Sequence, residues 1–190
     1  NVEVKLIAAK GSEIDSIESI DREIGIDLIV VGPKSNSVKE EVFLGKTSGS
    51  IVKQTDIPVL VIPNNYSYSP FKKVLTATKS GTIHNKSTLK PLETIAAKFN
   101  PSIDLLLVKT TDHTEGDLII NPPLDVLQTN VDIVESATTY LGVLTRMESH
   151  NPDLLCVFRR KRGFFQKLWE KTKILKKEFL VILVNLLKIE

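Results

Sequence analysis

Short apolar runs recur along the chain, and segments of helical spacing separate them. Ile26–Val31 is apolar except for Asp27, and Pro58–Ile62 is a second run. Runs of this length without alternation suit parallel strands covered on both faces. Between them Gly32 and Gly45 bracket a polar loop, and Gly45-Lys46-Thr47-Ser48 opens a helix predicted to reach Gln54. Upstream, Val2–Ala9 reads as a strand and Gly11 as a turn. Ser12 is placed as an N-cap with Asp15 three positions on. Ile14, Ile17, Ile20 and Ile24 then mark one face of a helix that Gly25 ends.

Residues 64–70 (NNYSYSP) are polar and rich in turn formers, and they read as a linker. Beyond them Lys72–Thr78 is a predicted strand. Ser87 or Thr88 is expected to cap a helix whose apolar face is Leu89, Leu92, Ile95, Ala96 and Phe99. Ile103–Val108 is the next strand. Asn121-Pro122-Pro123 interrupts any helix through that point, leaving Leu124–Gln128 for a short one. Val131–Ala137 is a strand, and Thr139–Ser149 a helix with Tyr140, Leu141, Leu144 and Met147 inward. Leu154–Phe158 is a strand, Phe164–Lys173 an amphipathic helix, and Phe179–Val184 a closing strand.

The two halves echo one another. Residues 152–158 (PDLLCVF) repeat the pattern of residues 26–32 (IDLIVVG). Val131–Ala137 repeats Val2–Ala8, and Phe179–Val184 repeats Pro58–Ile62. This is the signature of a diverged duplication of one α/β unit. Residues 1–63 are the C-terminal half of a first unit, 64–70 the linker, and 71–190 a second, degenerate unit. The first half has no counterpart of residues 72–109, so the chain is expected to be part of a longer tandem protein. Strands supplied by a separate piece are preferred to exchange between subunits.

Composition narrows the class only modestly. A 42% hydrophobic and 25% charged content is that of a globular domain. The longest apolar run is too short for a membrane helix, so no membrane association is expected. The single cysteine, Cys156, excludes a disulfide framework and favours a cytoplasmic setting. The net charge of +2 hides an asymmetry. Residues 153–190 hold ten Lys/Arg against four Asp/Glu, and the preceding part fifteen against nineteen. A solvated basic helix face accounts for this better than a nucleic-acid surface, so nucleic acid is not an expected partner.

A glycine loop that leaves a strand and enters a helix N-terminus is a ready anion site, through free N–H groups and the helix dipole. Gly45-Lys46-Thr47 also resembles part of a P-loop, but Glu40 stands where that motif needs its first glycine. The whole stretch resembles the universal stress protein family. Its nucleotide loop is a glycine, two residues, a glycine, nine residues, then glycine and Ser/Thr, followed by a PVLVV-like strand. Gly32 and Gly45 match the first and third glycines at the correct spacing, and Ser48 matches a serine of the loop. Ser35 replaces the second glycine, and Lys46 replaces the first Ser/Thr, with Thr47 following.

The resemblance implies two tandem doubly wound domains, each a five-stranded parallel sheet of order 3-2-1-4-5. Their last strands would pair antiparallel about a pseudo-twofold axis. It also implies ATP or another adenine nucleotide as the ligand, at Gly32, Ser35, Gly45, Lys46, Thr47 and Ser48. In the second unit Lys79 stands where binding members carry an aspartate, and a lysine accepts no ribose hydrogen bond. No catalytic residue is assigned. The three histidines lack ligand spacing, so no metal site is assigned either. The favoured function is a non-catalytic stress-response or regulatory protein with an unidentified protein partner and at most one nucleotide loop. The alternatives are an ATP-binding or ATP-hydrolysing α/β protein and a ligand-free dimerisation module; a homo-oligomer remains open.

Overall fold

A computed structural model of the chain describes residues 2–32, 46–62, 66–159 and 179–184. Its helices are α1 (Glu13–Ile24), α2 (Lys46–Gln54), α3 (Lys90–Phe99), α4 (Pro122–Asp125) and α5 (Thr139–His150). Its strands are β1 (Ile29–Val31), β2 (Val59–Val61), β3 (Lys73–Thr78), β4 (Ser102–Lys109), β5 (Asn130–Glu135), β6 (Leu154–Arg159) and β7 (Phe179–Val184). Short 3-10 turns at Lys86–Leu89 and Glu115–Leu118 complete the described elements.

The seven strands form one sheet in the order β1-β2-β7-β6-β3-β4-β5. The two separate parallel sheets expected from the sequence are therefore replaced by one continuous mixed sheet. β1, β2 and β7 are parallel to one another, as are β3, β4, β5 and β6. The direction reverses at β6–β7, which pair antiparallel from Leu154↔Val184 to Arg159↔Phe179. This corrects a second expectation. The last strands of the two halves, β2 and β7, are neighbours, but they pair parallel, with Val59 opposite Val181.

Alternation along the strands divides the core into two faces. On one, Leu75, Ala77, Leu106, Val108, Leu155 and Val157 pack with Val59 and Val61 of β2 and with Ile51 and Val52 of α2. Val143 and Met147 of α5 close this face, and Ile14 and Ile17 of α1 lie against it. On the other, Val74, Leu105, Leu107, Leu154, Cys156 and Phe158 meet Leu89 and Leu92 at the start of α3 and Leu124 of α4. Residues of both halves of the chain thus share one hydrophobic face.

Capping explains where the helices begin. Ser12 accepts from the Asp15 amide at 3.1 Å, as its spacing predicts, and the Gly25 amide closes α1 on the Asp21 carbonyl. Before α3 the capping side chain is Asn85, which accepts from the Ser87 amide at the 3-10 turn, rather than Ser87 or Thr88. Asn121 precedes α4, whose two prolines lie in its first turn. That helix is Pro122–Asp125, so the prolines start it and do not merely exclude it. In α5 the inward positions are Gly142, Val143 and Met147, whereas Leu141 is 50% exposed. A glycine on the buried face lets α5 approach β4, and this rotates the face away from Leu141.

The largest departure is at the start of the chain. Residues 2–9, expected as a strand, are all exposed and belong to no strand. A strand exists only by pairing, and among the described residues nothing pairs with this segment. β1 is likewise shorter than its apolar run, because only Ile29–Val31 align with β2. The expected helix Phe164–Lys173 and Glu40 lie outside the described residues.

Candidate functional site

The glycine loop leaves the C-terminal end of β1 at Gly32 and returns at Lys46, the first residue of α2. Ser35 and Gly45 lie outside the described residues. The structure brings Gly32, Thr47 and Ser48 into one neighbourhood. Ser48 is 6% exposed, and its hydroxyl donates to the Gly32 carbonyl at 3.0 Å. That bond ties the strand end to the first turn of the helix. Thr47 is exposed, and its hydroxyl donates to Glu13 Oε1 at 3.3 Å.

Glu13 lies in the first turn of α1, which packs beside α2. The first turn of α2 carries no acidic residue of its own. The Glu13 carboxylate therefore supplies the negative charge that favours a helix N-terminus. This residue was missed in the sequence, because nothing in its own helix pattern links it to a loop 34 positions away.

The described residues fit a nucleotide phosphate poorly. Both hydroxyls that a phosphate would use are engaged within the protein, and a carboxylate stands beside one of them. A second anion there meets like-charge repulsion.

The corresponding strand end of the second half is closed in another way. Lys79, just beyond β3, forms an ion pair with Asp112 at 2.6 Å. Asp112 also accepts from the Thr110 hydroxyl at 2.6 Å. The hydrogen bond from Lys79 is the main cause that holds the Asp112 carboxyl down at about 2, with the Thr110 bond adding to it. Lys79 thus answers a carboxylate of its own chain.

Beside it, residues 81–83 and 117–121 are zipped together. The Gly81 amide donates to the Asp117 carbonyl at 2.8 Å, and the Asn121 amide to the Gly81 carbonyl at 3.1 Å. The Asn121 side chain receives the Ile83 amide at 3.2 Å and donates to the Ile83 carbonyl at 2.7 Å. A methyl group on Gly81 would lie 2.6 Å from the Ile119 carbonyl oxygen. No room for a ligand remains between these segments. Thr114 and Asp117 reinforce the turn as a capping box, a Thr-x-x-Asp spacing that was available in the sequence.

At the opposite end of α1 an open cleft of about 300 Å³ is lined by Glu18, Asp21, Arg22, Thr55, Asp56 and Ile57. One of its carboxylates, Asp21, accepts from the Ile26 amide at 2.7 Å and serves the helix end. Among the described residues no group of three or more His, Cys, Asp or Glu could hold a metal ion. Cys156 is wholly buried, and that burial pushes its thiol up to about 12. It therefore carries no nucleophilic chemistry at neutral pH. No helix among the described residues is long and apolar enough to cross a membrane.

No curated protein matches the chain. Residues 1–63, which carry the glycine loop and its flanking strands, match the model of the Universal stress protein family.

Proposed function

We propose that this chain is a non-catalytic regulatory protein of the universal stress type that acts through protein contacts rather than through a bound nucleotide. The observation that carries the reading is the engagement of the α2 terminus by its own chain. Thr47 is spent on Glu13 and Ser48 on the Gly32 carbonyl. The family match over residues 1–63 supports the stress-response class. The Lys79–Asp112 pair and the zipped loops support a second unit that serves folding and partner contact. On this reading the chain is a tandem of two related α/β units, and the single thiol, held in the core, suits a cytoplasmic setting.

The experiment is a calorimetric titration of the chain with ATP, ADP and AMP, with and without magnesium. No saturable heat up to millimolar nucleotide is expected. Saturable binding that is lost in Gly32→Val would favour the alternative, an adenine-nucleotide protein using the first loop. Phosphate release accompanying that binding would make it a hydrolase.

A further inference from the structure

β5 closes the end of the sheet opposite to β1, and among the described residues no strand pairs with its outer side. β4 before it and α5 after it are both in place, so this edge belongs to the architecture of the second half of the chain. Apolar side chains gather around it. Beyond residue 32 the exposed large apolar side chains among the described residues are Tyr68, Ile119, Val126, Val131, Ile133 and Leu141, and five of these six fall between 119 and 141. Val131 and Ile133 lie on β5 itself, two apart and therefore on one face, with Ile133 53% exposed. Free charges along a strand blunt its edge against pairing, but here they are answered within the chain. Asp132 pairs with Arg146 of α5, and Glu135 with Lys109 of β4.

The strand is complementary to itself. A two-fold axis normal to the sheet sets β5 antiparallel to a second β5 and puts one residue opposite its own copy, so only a few registers exist. Centred on Asp132, the pairing places Val131 opposite the partner's Ile133 and Ile133 opposite the partner's Val131, while Glu135 falls opposite the partner's Thr129. Centred on Ile133, it would set Val131 against Glu135 and Asp132 against Val134. Centred on Val131, it would set Ile133 against Thr129, and centred on Val134, Ile133 against Glu135. Only the register centred on Asp132 matches Val131 with Ile133 on the exposed face.

The unfavourable contact of this register is Asp132 facing its own copy, like charge to like. Arg146 relieves it. It holds Asp132 through one terminal nitrogen, and its Nε, shut off from solvent, has no acceptor among the described residues. A guanidinium carries five donors, so each arginine has donors left for a second carboxylate brought beside the first. Two arginines and two aspartates then alternate at the centre of the pair, with no net charge. We infer that this chain forms a two-fold dimer through β5, a second copy being the partner of that edge. The contact is isologous and closes at two copies. β1, from which the glycine loop leaves, lies at the other end of the sheet, so the dimer stands whether or not that loop takes a nucleotide.

Sedimentation velocity on the full chain over a range of concentrations reads the association, and a dimer is expected. Ile133→Lys and Val131→Lys change side chains that are exposed in the single chain. Each should keep the parent's far-UV circular dichroism and yield monomer. Disulfide trapping reads the register. Cys156, the only native thiol, is buried and does not compete. A Val131→Cys chain mixed with an Ile133→Cys chain and oxidised gently should cross-link several-fold faster than either chain alone, since directly opposite residues lie within bridging distance and diagonal ones lie beyond it. Monomer at all concentrations overturns the inference. So does a dimer that survives both lysine substitutions, or cross-linking no faster in the mixture than in either chain alone.

Discussion

Gly142→Ala tests how closely α5 packs on the sheet. Two effects oppose each other. In a helix interior alanine is intrinsically better than glycine by about 1 kcal/mol. Against this, a methyl group at position 142 would lie 2.9 Å from Val108 Cγ1 and 3.3 Å from both Val108 Cγ2 and Ser136 Cβ. Val108 is completely buried in β4, and its branched side chain has little rotamer freedom there. Both of its methyls face the new group, so rotation relieves one contact at the expense of the other. Overpacking of this kind costs about 1–3 kcal/mol. The clash therefore wins by up to about 2 kcal/mol, a fall in melting temperature of roughly 4–8 °C for a chain of this size. Urea titration and calorimetry read it directly. Gly81→Ala should cost more, because the atom it meets at 2.6 Å is a backbone carbonyl. A Gly142→Ala chain more stable than the parent would refute the close approach of α5 to β4.

Leu92→Ala, at a fully buried position on the other face, should lose about 2–5 kcal/mol in urea titration, as cavity-forming leucine truncations do. Asp112 titrates at about 2 in the folded chain, below its ordinary value of 3.8, so the stability it contributes is present above pH 4 and is lost as pH falls through about 2. Asp112→Asn should therefore lower the melting temperature at pH 6, and the gap to the parent should close at pH 2. Cys156, with its thiol pushed up to about 12 by burial, should not react with a thiol reagent at pH 8 until the chain is unfolded.

Local pattern was legible wherever the chemistry was local. The isoleucines of α1, its Ser12 cap and its Gly25 stop all stand where their spacing puts them. The buried runs of β2, β3, β4 and β6 are strands because continuous apolar sequence has no other economical use in an α/β layer. Pairing was not legible. Val2–Ala9 has the composition of a strand, but a strand is a relation between two segments, and its partner is not among the described residues. The direction of β7 was equally hidden, since an apolar run pairs in either sense, and the antiparallel step fell at β6–β7.

The candidate site was half legible. Gly32 and Ser48 could be placed together from the loop pattern, and the structure joins them through one hydrogen bond. Glu13 could not be placed, because its approach to Thr47 depends on how α1 lies against α2. Asp112 was hidden in the same way. Lys79 could be seen to lack an acidic neighbour's role, but not to have acquired an acidic partner 33 positions away.

The central claim is that the helix terminus at the glycine loop is occupied by the chain's own groups. The most direct measurement follows the backbone amide resonances of Gly32, Thr47 and Ser48 in isotopically labelled chain as ATP with magnesium is added to millimolar concentration. The account predicts that these resonances stay in place. Saturable shifts concentrated on those three residues would contradict it.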